Sequence, residues 1–129
     1  MVSRRTGGVM GASAKEWYAV RCVIQTDPNS PRGSADLEAG ELEYEERICV
    51  WKASTVEEAF EYAERDAVEY TKGLELKYTG FAQSFHLFGT PRHGAEVFSL
   101  IRKSCLSTED YLSTFFDTGR EIQADFRQQ

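Results

Sequence analysis

The sequence predicts an α+β fold: a four-stranded, mostly antiparallel sheet with two helices on one face, in the order ββαββα. Three observations carry that expectation. Residues 17–24 and 45–51 alternate with the two-residue period of a strand. Residues from Thr55 onward combine a helix-start signal with an apolar stripe at helical spacing. Two further aromatic stretches return to strand spacing before a second, short helix. Moving the first strand to the end would give the ferredoxin-like order, so a permuted ferredoxin-like sandwich is the expected architecture.

The first strand spans about residues 16–25. It sets Tyr18, Val20, Cys22 and Ile24 on one side and Trp17, Ala19 and Val23, with Arg21 among them, on the other. The cluster Asp27-Pro28-Asn29-Ser30-Pro31-Arg32-Gly33-Ser34 is dense in turn formers, and the connection over 27–40 reads as a long exposed loop able to serve as a flap. The second strand, about 42–53, opposes Ile48 and Val50 to Cys49 and Trp51. Both strands are therefore apolar on both faces, and helices cover only one face. The other needs a twin subunit, a partner or a ligand.

The following helix begins at a capping box, Thr55 with Glu58, and its Glu57 and Glu58 suit the positive end of the helix dipole. Val56, Ala59, Phe60, Ala63, Ala67 and Tyr70 form its apolar stripe, and Gly73 supplies a stop. A third strand over 76–88 carries Gly80, which marks a bulge or a close backbone approach. Residues 89–94 read as a loop, and 95–103 as a fourth strand with Val97 and Ile101 alternating against Phe98 and Leu100. Ser107, with Asp110 three residues on, opens the second helix, which Gly119 ends. The domain organisation expected is a disordered leader over 1–15, one α+β domain over 16–119 and a C-terminal tail over 120–129.

Composition narrows the function classes. At 129 residues one domain is the default, and 41% hydrophobic with 28% charged residues is ordinary for a globular chain. A formal net charge of −6 argues against general nucleic-acid binding, while leaving room for a basic protein partner. No stretch approaches the apolar length of a membrane span, and Arg4 and Arg5 precede no apolar signal core. Three widely spaced cysteines, Cys22, Cys49 and Cys105, do not make a disulfide framework and fit a reducing cytoplasm.

The stretches Trp17-Tyr18-Ala19, Tyr44-Glu45-Glu46-Arg47-Ile48 and Ala53-Ser54-Thr55-Val56-Glu57-Glu58-Ala59 resemble a small bacterial family catalogued only as a domain of unknown function. The resemblance covers about residues 16–70. It implies a bacterial cytoplasmic protein and carries over no chemistry.

Candidate chemistry is sparse. Cys105, between a strand and a helix, with His93 in a nearby loop, is the nearest approach to a thiol nucleophile, yet no third orienting group is legible. Cys22, Cys49, His86 and His93 lack the close ligand pairs of structural zinc, so neither metal nor cofactor is expected. Glu46 falls on the face read as core, where a carboxylate needs a partner; a strand end in water is the simpler account. Glu57, Glu58, Glu61 and Glu64 read as a solvated helix face. Greater weight falls on Trp17, Arg21, Arg47 and Trp51. In the expected register they share the open sheet face with Cys49, while Val20 and Cys22 meet Ile48 and Val50 beneath the helices. Trp and Arg concentrate energy at interfaces. The sequence thus points to a non-enzymatic interaction protein, a homodimer through an aromatic sheet face. Two alternatives are a ligand-binding protein or enzyme, sited between loop 27–40 and the open face and using Glu46, His86, His93 or Cys105, and an immunity-type inhibitor of a basic partner.

Overall fold

The computed structural model describes residues 14–27, 41–116 and 122–127, and the chain divides into two compact units, Met1–Ser99 and Leu100–Gln129. That boundary falls within the span 16–119 read from the sequence as one domain. In the first unit β1 (Glu16–Thr26), β2 (Tyr44–Ala53), α1 (Val56–Thr71) and β3 (Leu76–His86) follow one another. The strands form an antiparallel sheet in the order β2-β1-β3.

Among the described residues the sheet has three strands, not four, and the element order is ββαβα. Residues 95–103 form no strand, so the four-stranded, permuted ferredoxin-like expectation is corrected. After Gly94, whose φ of 80° redirects the chain, Phe98 is laid on the sheet's face rather than into its plane. Its ring lies 6.2 Å from that of Phe85 and 4.8 Å from the Arg21 guanidinium. Of the side chains that mimic a strand's alternation, Phe98 serves as a cover. α1 covers one sheet face, and α2 (Thr108–Phe116) belongs to the second unit.

α1 forms where its caps say it should. Thr55 accepts a hydrogen bond from the Glu58 amide at 3.1 Å, and the Glu58 carboxylate accepts one from the Ser54 amide at 3.0 Å. The box closes one residue upstream of its usual partner. At the other end Gly73 adopts φ 71°, a conformation glycine reaches without a Cβ clash. Ala59, Ala63 and Ala67 recur every fourth residue and are all buried, so the helix seats a row of methyl groups on Tyr18, Val20 and Cys22 of β1. Small side chains bring the helix close: the Cys22 thiol approaches the Ala63 carbonyl oxygen at 3.9 Å.

The strand faces settle the register. Tyr18 stands opposite Trp51, Val20 opposite Cys49 and Cys22 opposite Arg47. The side of β2 beneath α1 is therefore Arg47, Cys49, Trp51 and Ala53, while Ile48 and Val50 lie on the other side. This is the reverse of the face assignment read from the sequence, a one-residue change that flips every side chain. Cys22 and Cys49 now share a face, and Glu46 leaves the core side. On β3, Gly80 (φ 87°) sits where the β1–β3 pairing shifts between Cys22 and Ile24, and Thr79 donates a 2.8 Å hydrogen bond to the Val23 carbonyl freed there.

In the second unit Ser107 caps α2 by accepting from the Asp110 amide at 3.2 Å, and Arg102 lies 4.3 Å over the Phe115 ring. Residues 1–13, 28–40, 117–121, 128 and 129 lie outside the described residues, so the leader, most of the proposed flap, the Gly119 stop and the tail's end are not placed.

Burial tunes two groups under α1. It pushes the Cys22 thiol upward, and burial together with the neighbouring Cys22 and Glu64 pushes the Tyr78 phenol far above its ordinary range. Both groups hold their protons longer in the folded chain than in the unfolded one. Their contribution is complete below the ordinary thiol value of 9.0, and stability falls as pH rises past it, because the unfolded chain releases the protons first. Denaturant midpoints taken across this range should decline, and the ultraviolet titration of tyrosinate should keep one tyrosine silent until unfolding. At neutral pH a thiol reagent should label exposed Cys105 at once and buried Cys22 only on unfolding. Immediate labelling of all three cysteines would contradict this packing.

Candidate functional site

Alternation along β1 turns Trp17, Ala19, Arg21 and Val23 away from α1. The ladders place Lys52, Val50, Ile48 and Glu46 beside them on β2. Phe85 and Gln83 of β3 lie on the other flank. This is the sheet's open face, and Arg21 is at its centre. Its side chain is only 15% exposed, and every direction is answered. One guanidinium nitrogen lies 3.2 Å from Glu46 Oε1, another donates to Gln83 Oε1, and the Phe98 ring stacks over the plane. A covered Arg held this way fixes Phe98 and tethers both outer strands to β1.

Around that centre exposed apolar side chains remain beside Glu46 and Lys52. Ile48 is 43%, Val50 37% and Phe81 54% exposed. Trp17 closes one end, with the Lys52 ammonium 5.9 Å from its ring centre. Ala19 is fully buried.

The four aromatic and arginine residues singled out in the sequence are not brought together. Trp17 and Arg21 lie on the open face; Arg47 and Trp51 lie beneath α1. Arg47 pairs with Asp66 and stacks 4.0 Å over Tyr70, whose hydroxyl donates to Glu45 at 3.1 Å. That hydrogen bond to a carboxylate raises the Tyr70 phenol, and the pairing with Asp66 raises the Arg47 guanidinium against the opposing effect of burial. Trp51 stacks on Tyr62 at 6.0 Å between ring centres, and its indole nitrogen is buried without a hydrogen-bond partner. Arg47 and Trp51 together fasten α1 to β2.

The candidate chemical residues are scattered as well. Glu46 is 63% exposed and answers Arg21. His86 ends β3, stacked 4.9 Å from Tyr18, with its Nε2 3.1 Å from Glu16 Oε1. A surface pocket of about 390 Å³ opens there, lined by Lys15, Glu16, Trp17, Lys52 and His86, with Phe88 at its lip. His93 is exposed in the loop after β3, and Cys105 is exposed in the second unit. Among the described residues no cluster of three or more His, Cys, Asp or Glu side chains is arranged to hold a metal ion. No described helix is long and apolar enough to cross a membrane.

Sequence reasoning missed Gln83 and Phe98. A signal for Gln83 exists, since it is the lone polar residue between Phe81 and Phe85 on one face of β3. Phe98 carries no comparable signal, because its neighbours alternate as strand residues do. No family model matches this chain, and no significant match is found among curated proteins or solved structures.

Proposed function

We propose that this chain is a non-enzymatic interaction protein that assembles with a second copy of itself through its sheet, in a cytoplasmic setting. The observation that carries the reading is the exposed pair Ile48 and Val50 on β2, set beside an Arg21 whose own bonding is complete. Apolar side chains grouped on one face of a small sheet favour association, because burying each removes hydrocarbon surface from water. A central Arg already saturated within the chain offers little to a small anionic substrate. It serves instead to hold the face flat.

Native mass spectrometry of the gently purified full chain tests the reading. A species at twice 14.6 kDa with no added mass is expected, and Ile48→Glu should shift it to the monomer by placing a charge among apolar neighbours. A monomer would overturn it. A monomer carrying a bound small molecule would favour the second reading, a ligand carrier. That reading draws on the Glu16–His86 pair and the lysines of the 390 Å³ pocket.

A further inference from the structure

We infer that two copies of this chain join along their β2 edges, in antiparallel register centred on Cys49, making one continuous six-stranded sheet. The inference rests on the self-association proposed above and names where it occurs. Among the described residues β2 pairs only with β1, and its pairing runs unbroken from Tyr44 to Ala53. A regular ten-residue edge is a template for another strand, because its outward amides and carbonyls are already spaced for a ladder. The opposite edge, β3, is interrupted by the Gly80 bulge, a feature that hinders strand addition.

The residues of β2 select the register. A two-fold axis perpendicular to the sheet keeps the α1-covered faces on one side, so paired residues must belong to the same face. Centring on Cys49 then sets Glu46 against Lys52 of the second copy, and Ile48 against its Val50, each pair occurring twice. Slipping the pairing by two residues in one direction places Glu46 opposite Val50 and Lys52 opposite Tyr44. Slipping it the other way places Ile48 opposite Lys52. Both alternatives lose every opposite-charge pair on this face. Glu46 is exposed enough to serve Arg21 and a second cation together, and Lys52 is exposed.

The pairing brings the two Cys49 Cβ atoms to within about 4.5–5.5 Å, close enough for oxidative linkage after a small adjustment. The expected result, in the full-length Cys105→Ser protein treated with copper–phenanthroline, is a covalent dimer whose linked peptides both contain Cys49. A Cys49→Ser control should stay uncrosslinked. Charge variants supply a readout independent of thiols. Glu46→Lys alone and Lys52→Glu alone should each weaken the dimer by about tenfold or more, and mixing the two variants should restore it as a heterodimer. Phe81→Glu lies on β3, away from the β2 edge, and should leave the dimer intact.

A wild-type dimer that Phe81→Glu dissociates, or that forms no Cys49 link, would overturn edge pairing while leaving self-association standing. A wild-type monomer would overturn both and mark Glu46 and Lys52 as charges that guard the edge.

Discussion

Ile24→Ala should cost about 2–5 kcal/mol of folding stability. Ile24 is fully buried on the α1 side of β1, where the pairing with β3 shifts register, and it stands opposite Tyr78 on one strand and Glu45 on the other. Truncation removes about 1.5–3 kcal/mol of burial energy and leaves a void beside a bulge. The backbone there is already committed by the Thr79–Val23 hydrogen bond, so the site has little freedom to collapse. Against a total stability of order 5–15 kcal/mol, that loss is a large share. Urea unfolding followed by circular dichroism should show a lower midpoint with an unchanged slope. A loss below about 1 kcal/mol would mean Ile24 is not enclosed as described.

Ala63→Leu is expected to do comparable damage by the opposite route, costing about 1–3 kcal/mol or more through overpacking. Ala63 is the middle methyl of the Ala59, Ala63, Ala67 row and is 3% exposed, and its backbone carbonyl lies against the Cys22 thiol. A leucine cannot enter without lifting α1, which would also pull Asp66 from Arg47 and Tyr62 from Trp51. The same substitution at Val68, which is 51% exposed on the far side of α1, should be nearly neutral. Thermal melts of the pair check this, and equal melting temperatures would remove the alanine row from its role as the seat of the helix.

Local signals in the sequence are legible where a residue type has one structural meaning. Thr55 with Glu58 located the start of α1, Gly73 its end, and Gly80 the bulge, because caps and positive φ angles admit few residues. Strand faces were harder. β2 is apolar on both sides, so alternation alone does not say whether Ile48 and Val50 or Cys49 and Trp51 lie beneath the helix. The answer depends on Asp66, Tyr62 and Tyr70, which are distant in sequence and take up Arg47 and Trp51 from α1. That single ambiguity split the proposed aromatic and arginine patch across two faces. The segment around Phe98 failed for a related reason, since a chain crossing over a sheet and a chain joining it can share one hydropathy pattern.

The kink that Gly80 puts into β3 bears on how far any assembly of this chain can grow. Fibrils require two compatible edges per molecule, one to receive and one to offer. Among the described strands the smooth edge is β2, and a pair that joins there presents its β3 strands outward. Each of those is broken near its middle by the extra residues around Gly80. Such a pair offers no regular edge among its described strands, so it is expected to stop at two copies rather than grow into a fibril.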